Sequence, residues 1–165
     1  MVVWDVGRCL KLYSIFKSGN KTRAIPQSYI PTNSFFDKIA SFVRLNFFIP
    51  DSRIGWNYFA FKKAKKLIEE NNINCVITTG PPHSSHLIGK KIYNKFKLKW
   101  IVDLRDPWAE LFYLKNKFQF NYVKKLNLKF ELDVLNSADA ILTTVGNRYK
   151  TILRDKLSNT NKIYK

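Results

Sequence analysis

Acidic residues are scarce in this chain. Twelve Asp and Glu face 29 Lys and Arg, a formal charge of +17 over 165 residues. Such an excess points to anionic partners: nucleic acid, an anionic membrane surface or a phosphorylated ligand. It also has a compositional reading. The sequence is rich in Lys, Asn, Ile, Phe and Tyr, as an AT-rich genome would make it, and most basic residues fall on expected solvent faces of helices. Cysteine is nearly absent. Cys9 and Cys75 are far apart, which excludes a disulfide framework and a cysteine-based zinc motif and favours a reduced, cytoplasmic setting. No apolar run reaches the roughly 18 residues of a membrane span. The start, Met1-Val2-Val3-Trp4-Asp5, lacks the basic-then-apolar layout of a signal peptide.

Glycine-rich phosphate loops are missing too. Thr79-Gly80-Pro81-Pro82-His83 has no Gly-Lys-Ser/Thr and is neither a Walker loop nor a dinucleotide fingerprint. No nucleic-acid motif is recognisable, so nucleic acid is not expected as the partner. With 45% apolar residues and this length, one globular core is expected.

The pattern alternates. Residues 1–47 read as an irregular segment with helical stretches at Val6–Phe16 and from Ser34, broken by Pro26, Pro31 and Pro50. A helix follows with Trp56, Phe59/Ala60, Ala64 and Leu67/Ile68 inward and Lys62, Lys63, Lys65, Lys66, Glu69 and Glu70 outward. Ile73–Thr79 is β-branched and predicts a buried parallel strand. Ser84 or Ser85 then caps a helix carrying Leu87/Ile88, Ile92 and Phe96, and Trp100–Val102 opens the next strand. A long aromatic loop, Pro107–Phe120, precedes a helix at about Tyr122–Leu135. A strand at Ala138–Thr144, a helix at Gly146–Leu157 and a strand start at Lys162–Tyr164 complete the series. Strand–helix alternation implies an α/β, Rossmann-like parallel sheet with flanking helices. Its ligand edge would gather residues 79–86, 103–108 and 144–147.

Several residues on that edge can do chemistry. Gly80 permits a tight turn and close approach, and Pro81 and Pro82 stiffen it. Ser84 and Ser85 either receive an anionic or hydroxyl-rich ligand at the helix start or simply cap it. His83 can bind a ligand or move a proton, or can be an ordinary helix-start residue. His83 and His86 stand three apart, but no third ligand has diagnostic spacing, so no metal is assigned. Asp106 can accept ligand hydroxyls or a proton while Arg105 steadies negative charge; alternatively, an Arg–Asp pair orders the loop. Asp103 reads as the more structural carboxylate, and Glu131 as part of a solvated helix face.

Three stretches together resemble a known family. Phe48–Trp56, Ile77–Gly89 and Trp100–Trp108 are similar, in order and spacing, to the N-terminal domain of bacterial glycosyltransferase family 4, of GT-B architecture. Glu131 and Ala138–Thr144 resemble that family's next helix and strand. The resemblance implies two Rossmann-like domains facing a cleft, no obligatory metal or other cofactor, and retention of anomeric configuration. The N-terminal domain would receive a polysaccharide or glycolipid acceptor, and its partner domain the nucleotide-sugar donor. Carried over by position, Asp106 would be catalytic, with Gly80, Pro81, His83, Ser84, Arg105 and Trp108 contacting substrate.

The sequence also departs from the family. Nothing before Phe48 resembles the family's glycine-rich first strand, and the donor domain's basic pair and Glu motif are missing. Residues 48–165 are therefore expected to be a partial domain, one incomplete half of a GT-B enzyme. That fragment would need the missing donor-binding domain and be inactive alone, in the cytoplasm or at the inner membrane face of a cell-surface polysaccharide pathway. A non-catalytic basic module on an anionic membrane or nucleic acid is the alternative.

Overall fold

The computed structural model describes residues 35–109, 118–144, 147–157 and 159–164. The expectations for Val6–Phe16 and the proline-broken segment lie outside these. Compactness divides the chain into Met1–Pro31 and Thr32–Lys165. The helix Phe35–Phe47 (α1) belongs to the second of these units. The reason is a long-range tie: the Phe120 amide donates to Asn46 Oδ1 at 2.8 Å.

A short 3-10 turn, Ile54–Trp56, leads into α2, Asn57–Asn71. Then come β1 (Cys75–Gly80), α3 (Ser84–Phe96), β2 (Lys99–Leu104), α4 (Asn121–Ser137), β3 (Ala140–Thr143), α5 (Asn147–Lys156) and β4 (Ile163–Tyr164). The strands form one four-stranded, all-parallel sheet in the order β1-β2-β3-β4. The fold is thus α/β with the Rossmann-like pattern of strand–helix–strand crossovers.

That order decides where the core sits. Right-handed crossovers stepping one way across a sheet put their helices on a single face. Trp100, Val102, Leu104 and Ile141 point to that face and pack with Val134, Leu135 and Ala138 at the end of α4, and with Tyr149, Leu153 and Leu157 at α5. Gly89 of α3 lies against the Trp100 indole and the Thr78 methyl so closely that a Cβ would overlap both. The opposite face holds Cys75, Ile77 and Thr79 of β1, all exposed.

Two sequence expectations change here. β1 is an edge strand with alternating burial, and Ile77 is 60% exposed, because the crossovers cover only the other face. In α2, Trp56 and Phe59 are exposed, and the inward stripe runs through Phe61, Ala64 and Ile68. No helix among the described residues is long and apolar enough to cross a membrane.

Candidate functional site

Parallel strands end at one edge, and loops there are the usual ligand sites. Pairing of Gly80 with Leu104 and Thr79 with Asp103 brings the Gly-Pro-Pro loop beside the Arg-Asp-Pro-Trp loop. The Arg105 amide donates to Gly80 O at 3.0 Å, which continues the ladder past the strand ends. The peptide bonds preceding Pro81 and Pro82 are cis.

A buried layer supports this edge. Asp51, 33 residues before Ser84, places its carboxylate on the α3 N-terminus. Its Oδ2 accepts from the Ser84 amide at 2.8 Å and its Oδ1 from the Ser84 hydroxyl at 2.9 Å. Its Oδ1 also accepts from the Arg53 amide at 2.9 Å. Asn57 Nδ2 donates to Ser84 O at 2.9 Å, tying α2 to the same turn. A carboxylate bonded to free amides at a helix start is favourable on hydrogen-bonding and dipole grounds. Ser84 is therefore buried and committed to Asp51, which corrects its reading as a ligand contact: the anion at this helix start is the protein's own. Ser85 Oγ lies 2.7 Å from both Thr79 O and Pro82 O and holds the loop closed.

Below the turn, His86 is fully buried. Trp100 Nε1 donates to Thr78 Oγ1 at 2.9 Å, and Thr78 Oγ1 lies 2.9 Å from His86 Nδ1. An indole N–H only donates, so Thr78 Oγ1 accepts from Trp100 and shares a hydrogen bond with His86 Nδ1, while buried His86 Nε2 has no hydrogen-bond partner. Burial, then neighbouring His83, push the His86 pKa down to about 3. The ring is neutral at physiological pH. A Cβ at Gly80 would overlap His86 Nε2 and approach His83 Nδ1 to 3.0 Å, so this turn has no room for a side chain.

His83 is 5% exposed and stacks on Trp108 with ring centroids 4.9 Å apart and planes 9° apart. Neither of its ring nitrogens has a hydrogen-bond partner. Burial holds its pKa below the ordinary histidine value, against weaker opposing pulls from Asp51, the Pro107 backbone and Asp106. Trp108 is buried as well, with Nε1 3.4 Å from Asn127 Oδ1 on α4. Its burial makes Trp108 an anchor for the loop and corrects its reading as a direct substrate contact.

The exposed rim is small. Pro81, Arg105 and Asp106 are open to solvent, beside the stacked His83–Trp108 pair. Arg105 forms no ion pair with Asp103 or Asp106 among the described residues, so the alternative of a loop ordered by such a pair does not hold. Backbone pairing and Trp108 burial order the loop instead. In the third loop, positions 145–146 lie outside the described residues. Among the described residues no group of three or more His, Cys, Asp or Glu is placed to hold a metal. A shallow groove formed by Phe59, Lys62, Lys63, Lys65, Lys66 and Glu69 opens on the outer face of α2, not on this edge.

Two residues escaped the sequence reading. Asp51 left no local signal, because its partner is distant in the chain. Glu131 was assigned to a solvated face but is 0% exposed. It accepts from Lys156 Nζ at 3.0 Å and Tyr149 Oη at 3.2 Å, locking α5 onto α4. Its position three residues before Val134 and four before Leu135 on the inward face was the available signal. No model of a known family matches the chain, and no curated protein or solved structure matches it significantly.

Proposed function

We propose that this chain forms the acceptor-side wall of a sugar-transferring enzyme, a glycosyltransferase of family 4 and GT-B architecture. The transfer would run from a nucleotide-sugar to a polysaccharide or glycolipid acceptor. The carrying observation is the pairing of two family-like motifs on one edge, with Arg105 and Asp106 exposed beside a rigid, buried His83–Trp108 stack. A carboxylate and a guanidinium on a fixed edge suit hydroxyl-rich ligands: Asp106 accepts from a sugar hydroxyl, and Arg105 offers donors to ring and hydroxyl oxygens. In this reading Asp106 acts on the attacking hydroxyl as hydrogen-bond acceptor and base. His83, buried with both ring nitrogens out of solvent, backs this rim through its stack on Trp108. In this reading a second domain would hold the nucleotide-sugar donor.

Ligand-observed NMR of the full chain with a panel of mono- and disaccharide glycosides tests this. Saturable binding is expected, weakened about tenfold or more by Asp106→Asn, the scale of a hydrogen bond to a charged group. Binding indifferent to Asp106→Asn, or no binding by any glycoside, would sink the proposal. Both rim side chains are exposed, so melting should not change.

A further inference from the structure

Helix α1 is turned inside out. Its polar residues Ser41 and Asn46 face the protein, each 5% exposed. Phe36, Ile39, Val43 and Phe47, spaced to line one side of a helix, face outward, with Phe36 79% and Phe47 69% exposed. An amphipathic helix on a water-facing surface normally points the other way.

The orientation is locked by the polar side. Asn46 Nδ2 donates to Phe118 O at 3.3 Å while Asn46 Oδ1 accepts from the Phe120 amide at 2.8 Å. Gln119 Nε2 donates to Leu45 O at 3.2 Å. Rolling α1 over to bury its apolar stripe would break all three. The stripe also extends. Phe42 stacks on Phe118 at 5.9 Å and meets Phe120 and Phe47 edge-on at 5.6 and 6.5 Å. Phe118, Phe120 and Tyr122 are themselves exposed.

Charge surrounds this surface asymmetrically. Arg44 lies on the flank of the stripe, and exposed Lys124 and Lys125 follow Phe120 and Tyr122 in the first turn of α4. We propose that the outer face of α1, with the Phe118–Tyr122 corner, docks on an anionic lipid bilayer. Aromatic and aliphatic side chains would enter the headgroup–acyl boundary, with lysine and arginine meeting the anionic headgroups. At 13 residues α1 is too short to span and would lie in the interface plane. A second copy of this chain is disfavoured as occupant, since two surfaces from a +17 molecule repel. The inference does not rest on the sugar-transfer reading.

Flotation of the full chain with vesicles tests it. Phosphatidylcholine containing about one phosphatidylglycerol in four should bind the protein, pure phosphatidylcholine much less, and added salt should weaken binding. The double variant Phe36→Ser/Phe47→Ser should lower the partition coefficient about tenfold or more, with circular dichroism and melting unchanged. A fluorophore on Val43→Cys, in a chain with Cys9 and Cys75 replaced by Ser, should shift to the blue on anionic vesicles. Three results would overturn the proposal: no flotation at low ionic strength, flotation untouched by the double variant, or unchanged fluorophore emission. So would a wild-type dimer in light scattering that the double variant dissociates, because a second copy would then occupy the stripe.

Discussion

Helices α1 and α3 have the same length, 13 residues, and the same kind of amphipathic pattern, yet they end in opposite orientations. α3 lays Gly89 and Ile92 against the sheet and buries His86 and Ser84 with them. α1 buries Ser41 and Asn46, keeps Phe42 half-buried and leaves Phe35, Phe36 and Phe47 outside. Periodicity says that a helix has two sides; it does not say which one the rest of the chain will claim. Crossover geometry claimed the apolar side of α3, because β1 and β2 run beneath it. Hydrogen bonds from Asn46 to Phe118 and Phe120 claimed the polar side of α1.

The comparison can be broken first by acid. The unfolded chain protonates His86 below about pH 6.5, while the folded ring does so only at about 3. The unfolded state therefore binds more protons in that window, and stability is complete above pH 6.5 and lost as pH falls toward 3. At roughly 1.4 kcal/mol per unit, the loss is on the order of 4 kcal/mol, and the lowered pKa of His83 works in the same direction. Urea unfolding at stepped pH should show this slope, and His86→Phe should flatten it between pH 6.5 and 5. An unaltered slope in the variant would mean that His83 and the carboxylates, not His86, cause it.

Overpacking comes next. Gly89→Val would drive a branched side chain into the Trp100 indole and Thr78, at a cost of about 3 kcal/mol. The comparison change on α1, Val43→Ser, should move stability by less than about 0.5 kcal/mol because the side chain meets solvent. Chemical denaturation of both variants reads the contrast directly. Equal losses would show that the outer stripe of α1 is covered.

The smallest of the three is the cap. Asp51→Ala removes acceptors from the Ser84 amide and hydroxyl and should cost about 1–2 kcal/mol. Hydrogen exchange should speed up at the α3 N-terminus and remain unchanged at α1. Equal acceleration at α1 would show that the two helices are coupled more tightly than their contacts indicate.

Much of the architecture was readable in one dimension. The β-branched run before Gly80, the Trp100–Val102 run and Ala140–Thr143 became parallel strands, and the loops after β1 and β2 came together at one sheet edge. Arg105 and Asp106 are exposed there. Ser84 and Trp108 lie at the same edge as its buried supports. Residue type marks a position near a strand end but not its depth. Glu131 shows the converse: a charged residue read as solvated sits at 0% exposure because Lys156 and Tyr149 satisfy it.

By itself the sequence determined what depends on neighbours within a few residues: helix and strand periods, the stiff Gly-Pro-Pro turn, the basic excess and the order of the motifs. Tertiary structure alone decided which face of the sheet is covered, that Asp51 caps a helix 33 residues away, and that α1 shows its apolar side to the surroundings. Those outcomes follow from the direction in which the strands step and from hydrogen bonds between distant loops. Neither leaves a local trace, because the energy lies in groups that meet only when the chain is folded.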